Sequence, residues 1–272
     1  MKRFILAALC GISLSACAQP ASAPPANEPK PAVAPASPKA KLNFAAGTPE
    51  ARAQAGLLAL NPRIEIESIG PAPIPGFREA VVTGQVVYVS DDGKYLFKGG
   101  LLDLVGRRDL AEDAMAKVRK QVLAGIPVED RIVFKTPGTP KYKVIVLTDI
   151  ECGFCRKFHE DIAQYTGRGI QVEYMAFPRN GIGSPDYHAM VSVWCAENRN
   201  KALTDAKSGR RVPTRTCARS PVDMQYRAGV RMGLTGTPML LAEDGSLLGG
   251  YLTPVQLQQL LEARAAKPAS GS

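Results

Sequence analysis

The sequence predicts an α/β protein in two parts, a small strand-rich α+β unit and a larger α/β domain, joined by one helix. Three observations carry this. Val144, Ile145, Val146 and Leu147 form a short apolar run of the kind a buried strand shows, and Cys155, Phe158, Ile162 and Tyr165 then recur at helical spacing. Upstream, apolar alternation around Asp92-Gly93 reads as a hairpin. Between the two, Leu110, Ala114, Val118 and Val122 recur every fourth residue, opened by Asp109 with Glu112 and closed by Gly125 and Pro127.

Taken from the N-terminus, Lys2 and Arg3 precede an apolar run from Phe4 to Leu14 that is too short to span a bilayer and matches a secretory signal. The leader, residues 1–17, ends in two overlapping cleavage signals. Ala16-Cys17-Ala18 resembles the small-residue site of ordinary secretion, which makes Cys17 the tail of a discarded peptide. Leu14-Ser15-Ala16-Cys17 resembles a bacterial lipobox, which makes Cys17 a lipidated first residue and anchors the chain to a membrane. The Pro/Ala-rich tract that follows, residues 18–47, suits a tether and favours the lipobox; its composition buries too little surface to offset ordering entropy, so it is expected to be disordered.

Residues 48–107 make the small unit, with Ile64, Ile66 and Ile69, then Val81 to Val89, then Tyr95 to Phe97 as strand material. So small a unit has a poor surface-to-volume ratio, and a strand-mediated homodimer is expected to complete it. Residues 108–127 form the linker helix, its apolar stripe read as ordinary packing. Residues 128–265 run strand, helix, strand at Ile170 to Phe177, a mostly helical insertion, strand from Pro238, a turn at Glu243-Asp244-Gly245, and a final helix with Thr253 as cap and Pro254 as first residue. That order matches a thioredoxin-like plan. Residues 266–272 are a tail.

The chemistry concentrates at Cys152-Gly153-Phe154-Cys155, where strand gives way to helix. The first N–H groups of a helix lack internal partners and carry partial positive charge, so a thiolate at Cys152 is favoured there. Cys155, one turn on and on the apolar face, suits a shielded resolving role in thiol–disulfide exchange. A Cys-x-x-Cys pair also serves as half of a zinc site, but that needs two further ligands. The chain has two histidines, His159 and His188. His159 is one turn beyond Cys155 and reads as a solvated helix-face residue, so no metal is predicted.

Six cysteines are present, and with Cys10 in the leader and Cys17 at its edge, Cys152, Cys155, Cys195 and Cys217 remain. An even set in an exported chain suggests two disulfides, and pairing Cys152 with Cys155 and Cys195 with Cys217 is the economical choice of the three arrangements. The second is read as structural, worth roughly 3 kcal/mol in the chain-entropy view. The formal charge of +9 includes Lys2 and Arg3, and the remaining basic residues are scattered without aromatic partners, which argues against nucleic acid and for solubility. Thr237-Pro238 is the other candidate: a proline opening a strand that faces the dithiol is either an ordinary edge proline or a cis bond that offers Thr237 backbone groups to an extended substrate.

The segment from Thr148 through Cys152-Gly153-Phe154-Cys155 to Glu160 resembles the active-site segment of the DsbC/DsbG family of bacterial periplasmic disulfide isomerases. Val193-Trp194-Cys195-Ala196, Lys201-Ala202, Cys217, Gly233 to Pro238, and Asp91-Asp92-Gly93-Lys94 are similar to that family in order and spacing. The resemblance spans about residues 55 to 262. It implies a V-shaped periplasmic homodimer, nucleophilic attack by Cys152 on mispaired disulfides of exported client proteins, a cis-proline loop at Thr237-Pro238, electrons from a membrane reductase of the DsbD type, and no dissociable cofactor. Glu151 departs from the small or hydroxyl residue often found before the first cysteine, and with Asp149 it brings negative charge that Arg156 and Lys157 oppose. Two other functions are kept open: a dedicated oxidant or reductant for a narrow client set, and a dimeric holdase chaperone.

Overall fold

The computed structural model describes residues 42–266; the leader, Cys17, most of the Pro/Ala tract and the tail beyond 266 lie outside the described residues. Helix α1 (Pro49–Leu60) starts at Thr48, whose hydroxyl accepts the Ala51 N–H at 3.2 Å, with Pro49 at the first position where its missing N–H costs nothing. Strands β1 (Ile66–Pro71), β2 (Phe77–Val82), β3 (Gln85–Ser90) and β4 (Leu96–Lys98) follow as an antiparallel meander. Alternate residues point to opposite faces. Ala80, Val82, Val87 and Val89 pack under Ala53 and Leu57 of α1, while Val81, Val86 and Tyr88 meet Met115 on the other side.

Two details differ from expectation. Leu42 and Phe44 pack against the α1 cluster, so the ordered unit begins ahead of residue 48. The run from Val81 to Val89 is two strands: Thr83 and Gly84 both take positive φ, 48° and 73°, and make a tight hairpin turn that Thr-Gly signals more weakly than Asn-Gly would.

After a short ladder of β5 (Leu102–Asp103) and β6 (Arg108–Asp109), Asp109 caps α2 (Leu110–Ala124), its carboxylate accepting the Ala111 and Glu112 N–H groups. The buried stripe is Met115, Arg119, Val122 and Leu123, offset from the one read in the sequence. Glu112 does not return to the cap. It pairs with Arg119 at 2.5 Å and accepts the Leu247 N–H at 3.2 Å.

The larger domain comprises β7 (Ile132–Phe134), β8 (Tyr142–Thr148), α3 (Gly153–Glu160), α4 (Ile162–Gly167), β9 (Ile170–Ala176), α5 (Pro185–Trp194), α6 (Arg199–Lys207), α7 (Val222–Arg231), β10 (Met239–Ala242), β11 (Leu247–Gly249) and α8 (Pro254–Ala266). Its sheet runs β11-β10-β8-β9-β7, with β8 and β9 parallel and the other pairs antiparallel. Val144 and Val146 of β8 face the core under Phe158, Tyr165, Met190 and Leu257; Ile145 and Leu147 face Val122 and Leu123 of α2 and Met232 after α7. Burying an aliphatic side chain contributes roughly 1.5–3 kcal/mol, so α2 is fastened into this core rather than merely leading to it. Arg131 reinforces the junction, donating to the carbonyls of Leu123 in the last turn of α2 and of Ile126 just beyond it, and to Glu173 at 2.8 Å.

Candidate active site

Strand β8 ends at Thr148, and the next turn is built by Asp149, whose Oδ1 accepts the Glu151 N–H at 2.6 Å. Cys152 then takes the N-cap position of α3 with extended backbone angles, and its carbonyl accepts the Arg156 N–H at 2.9 Å. Its sulfur therefore lies over the unpaired N–H groups of the first turn. Cys155 follows on the buried face with Phe158 and His159. Both are unbonded thiols; Cys155 is 0% exposed and Cys152 keeps 4%.

The Thr237–Pro238 peptide, leading into β10, is cis. The Thr237 carbonyl accepts from Cys152 Sγ at 3.2 Å, while the buried Thr237 hydroxyl, which has no other partner among the described residues, favours the Cys152 thiolate as a donor. Burial pushes the Cys152 thiol up, but hydrogen bonds from Thr237 and from Cys155, with the Arg179 guanidinium nearby, outweigh it and hold Cys152 below the ordinary thiol value. Cys155 goes the other way: burial raises it, against the charge of Lys207 and hydrogen bonds from the Asp149 backbone and Thr148. The two carboxylates near the pair are each matched by a cation. Glu151 meets Arg156 at 2.7 Å, and Asp149 meets Arg179 at 3.0 Å.

His159 is not solvated. It is 4% exposed, with Nδ1 3.0 Å from the Tyr174 hydroxyl and Nε2 2.9 Å from that of Thr204. The apolar face of α3 sweeps wide enough to take position 159 inward, where both ring nitrogens are engaged with hydroxyls rather than turned toward the cysteines. Among the described residues no three Cys, His, Asp or Glu side chains converge as metal ligands. Cys195, at the end of α5, is bonded to Cys217 ahead of α7. Beside the dithiol, a groove of about 550 Å³ is lined by Phe154, Thr235, Gly236, Thr237, Met239 and Tyr251, with Phe154 65% exposed.

The family profile of the disulfide bond isomerase protein N-terminal domain matches residues 44–112, and that of a thioredoxin-like domain matches residues 129–265. The thiol:disulfide interchange protein DsbC of Escherichia coli K12 is 35% identical over 199 residues, covering 73% of this chain and 82% of the relative. The chain belongs to the DsbC family. The DsbC of Dickeya dadantii is 33% identical over 76% of this chain and 85% of its own. A crystal structure of a disulfide interchange protein from Neisseria gonorrhoeae aligns with 52% of this chain and 100% of its own, at 26% identity and a TM-score of 0.46.

In this DsbC-family chain, sequence reasoning overlooked three residues that the fold brings to the dithiol. Arg179 arrives from the loop after β9 and Lys207 from the end of α6; neither has a local pattern that separates it from a surface cation. Thr148 lies inside the segment that resembles the family's active site, but nothing in its spacing marks its hydroxyl as facing inward.

Proposed function

We propose that this chain isomerises or reduces incorrect disulfides in exported proteins, with Cys152 as the nucleophile and Cys155 as the resolving thiol. The carrying observation is the asymmetry of the pair: Cys152 at the helix N-terminus and against Thr237, lowered, and Cys155 beneath it, raised. The Cys152 thiolate attacks one sulfur of a client disulfide; a Cys152–client bond forms, and the other client sulfur leaves as a thiolate. A second client thiol then displaces Cys152, completing isomerisation, or Cys155 does so and the client leaves reduced. The Thr237 backbone and the Phe154–Tyr251 groove hold the client segment as an added strand.

The leader directs the chain to the periplasm, with Cys17 as its membrane tether. After reduction of a client, electrons return from a membrane reductase of the DsbD type. The small unit pairs with its copy in a homodimer; Tyr95, Leu96, Phe97, Leu102, Leu104 and Val105 form an exposed apolar rim on β4 and the β5–β6 ladder that supports this. Trapping tests the assignment. Cys155→Ala should accumulate mixed disulfides with scrambled ribonuclease, all through Cys152 by peptide mapping; adducts that require Cys155 would reverse the two roles.

A further inference from the structure

Among the described residues, Lys207 is the one cation buried under the dithiol. It ends α6 at 5% exposure, its Nζ 2.7 Å from Thr148 Oγ1, 3.4 Å from the Asp149 carbonyl and 5.6 Å from the centre of the Tyr174 ring, with no carboxylate within ion-pair distance among the described residues. A buried ammonium without a counter-ion is costly, and an apolar side chain of the same length would fill this space without that cost. Burial accordingly brings the amine down to about 8, against the opposing pull of Cys155, Asp149 and Cys152. An amine near that value is available in both protonation states close to neutrality.

Thr148 links this amine to the deeper sulfur. Its hydroxyl, fully buried, lies 2.7 Å from the Lys207 amine and is among the groups that favour the ionised form of Cys155. The other polar groups around Lys207 are excluded as proton acceptors. Asp149, from the turn after β8, already accepts the Glu151 N–H and both the backbone and the guanidinium of Arg179. His159, on α3, is held neutral with both nitrogens engaged, lowered to about 3 by burial and then by Lys207 itself. Tyr174, on β9, is a phenol raised far above its usual value by burial. Arg156, on α3, is a permanent cation, and Cys152 is the partner sulfur.

We propose that Lys207 takes the proton of Cys155 in the resolving step, acting through the Thr148 hydroxyl. The inference rests on the proposed roles of the two cysteines. As Cys155 attacks the mixed disulfide, the Cys152–Cys155 bond forms, the bond from Cys152 to the client sulfur breaks, and the client sulfur leaves with the electron pair as a thiolate. The Cys155 proton passes to Thr148, whose own proton passes to the neutral Lys207 amine. When the disulfide is reduced again, the ammonium returns its proton along the same path. Lys207 thus acts through Thr148 and never touches the reacting sulfurs.

The test uses the reduced full chain and the aromatic disulfide 5,5′-dithiobis(2-nitrobenzoate). The first equivalent of coloured thiolate reports attack by Cys152, and the second, released as Cys155 resolves the adduct, reports the step at issue. Lys207→Met should slow the second phase about a hundredfold near neutrality and move its rise to higher pH, with the first phase changed no more than a few-fold. Lys207→Arg, charged but unable to accept a proton, should stay slow. Thr148→Ser should keep the second phase and Thr148→Val lose it, which preserves the test if the lysine variants fold poorly. An unchanged second phase in Lys207→Met, full recovery in Lys207→Arg, or a fast second phase in Thr148→Val overturns the relay. A first adduct mapped to Cys155 instead overturns the assignment of the cysteines, and the relay with it.

Discussion

Cys152 has little exposed surface but a dense set of donors: helix N–H groups, the Thr237 hydroxyl and the Arg179 guanidinium all favour its ionised form. Glu151 and Asp149, which the sequence set against that ionisation, are spent on Arg156 and Arg179. His159 plays a different part beneath the pair. Its folded-state value near 3 lies below the usual 6.5, so between those values the unfolded chain binds a proton that the native state refuses, and stability is lost as pH falls through that window. His159→Gln keeps groups to meet Tyr174 and Thr204 but does not titrate. Compared by urea unfolding at about pH 7 and about pH 4.5, the wild type should lose roughly 2–3 kcal/mol more than the variant; equal losses would remove His159 from the account.

Elements were legible in proportion to how local their causes are. The Asp109 cap and Gly125 stop of α2, the Asp92-Gly93 and Gly245 turns and the Pro254 start of α8 each follow from one or two residues with special backbone or capping chemistry, and all are present in the structure. Strand β8 showed as an apolar run because helices cover both of its faces. What escaped depends on tertiary contact. Strand β7 is three residues long and exists by pairing with β9, and the helix expected through Tyr165 breaks at Asp161 into α3 and α4 without a proline or glycine to announce it. The phase of α2 slipped because its buried stripe includes Arg119, whose head reaches the Met232 carbonyl at 3.0 Å and whose stem is covered. Likewise His159 reads as a solvated residue and nothing in the sequence marks Lys207, since composition cannot tell a buried basic group with hydroxyl partners from a solvated one.

At the scale of the whole molecule, the small unit is docked on the larger one through close backbone contact. A Cβ on Gly84 would fall 2.2 Å from the Val230 carbonyl, and Arg231 meets Glu67 at 2.6 Å. The rim of β4 to β6 remains uncovered, with Leu104 and Val105 85% and 96% exposed. If a second copy covers that rim, Leu104→Arg with Val105→Asp should halve the mass by sedimentation and sharply reduce rescue of scrambled ribonuclease, while leaving reduction of a small aromatic disulfide intact; a double variant that still sediments as a dimer would place the interface elsewhere. Whatever the assembly, the proposed chemistry comes down to one ionised sulfur. The pH dependence of alkylation of the reduced protein by iodoacetamide, with the modified residue mapped, measures it directly. Modification is expected at Cys152, with a midpoint below the value of about 8.5 for free cysteine. A midpoint at or above that value, or alkylation shared with Cys155, contradicts it.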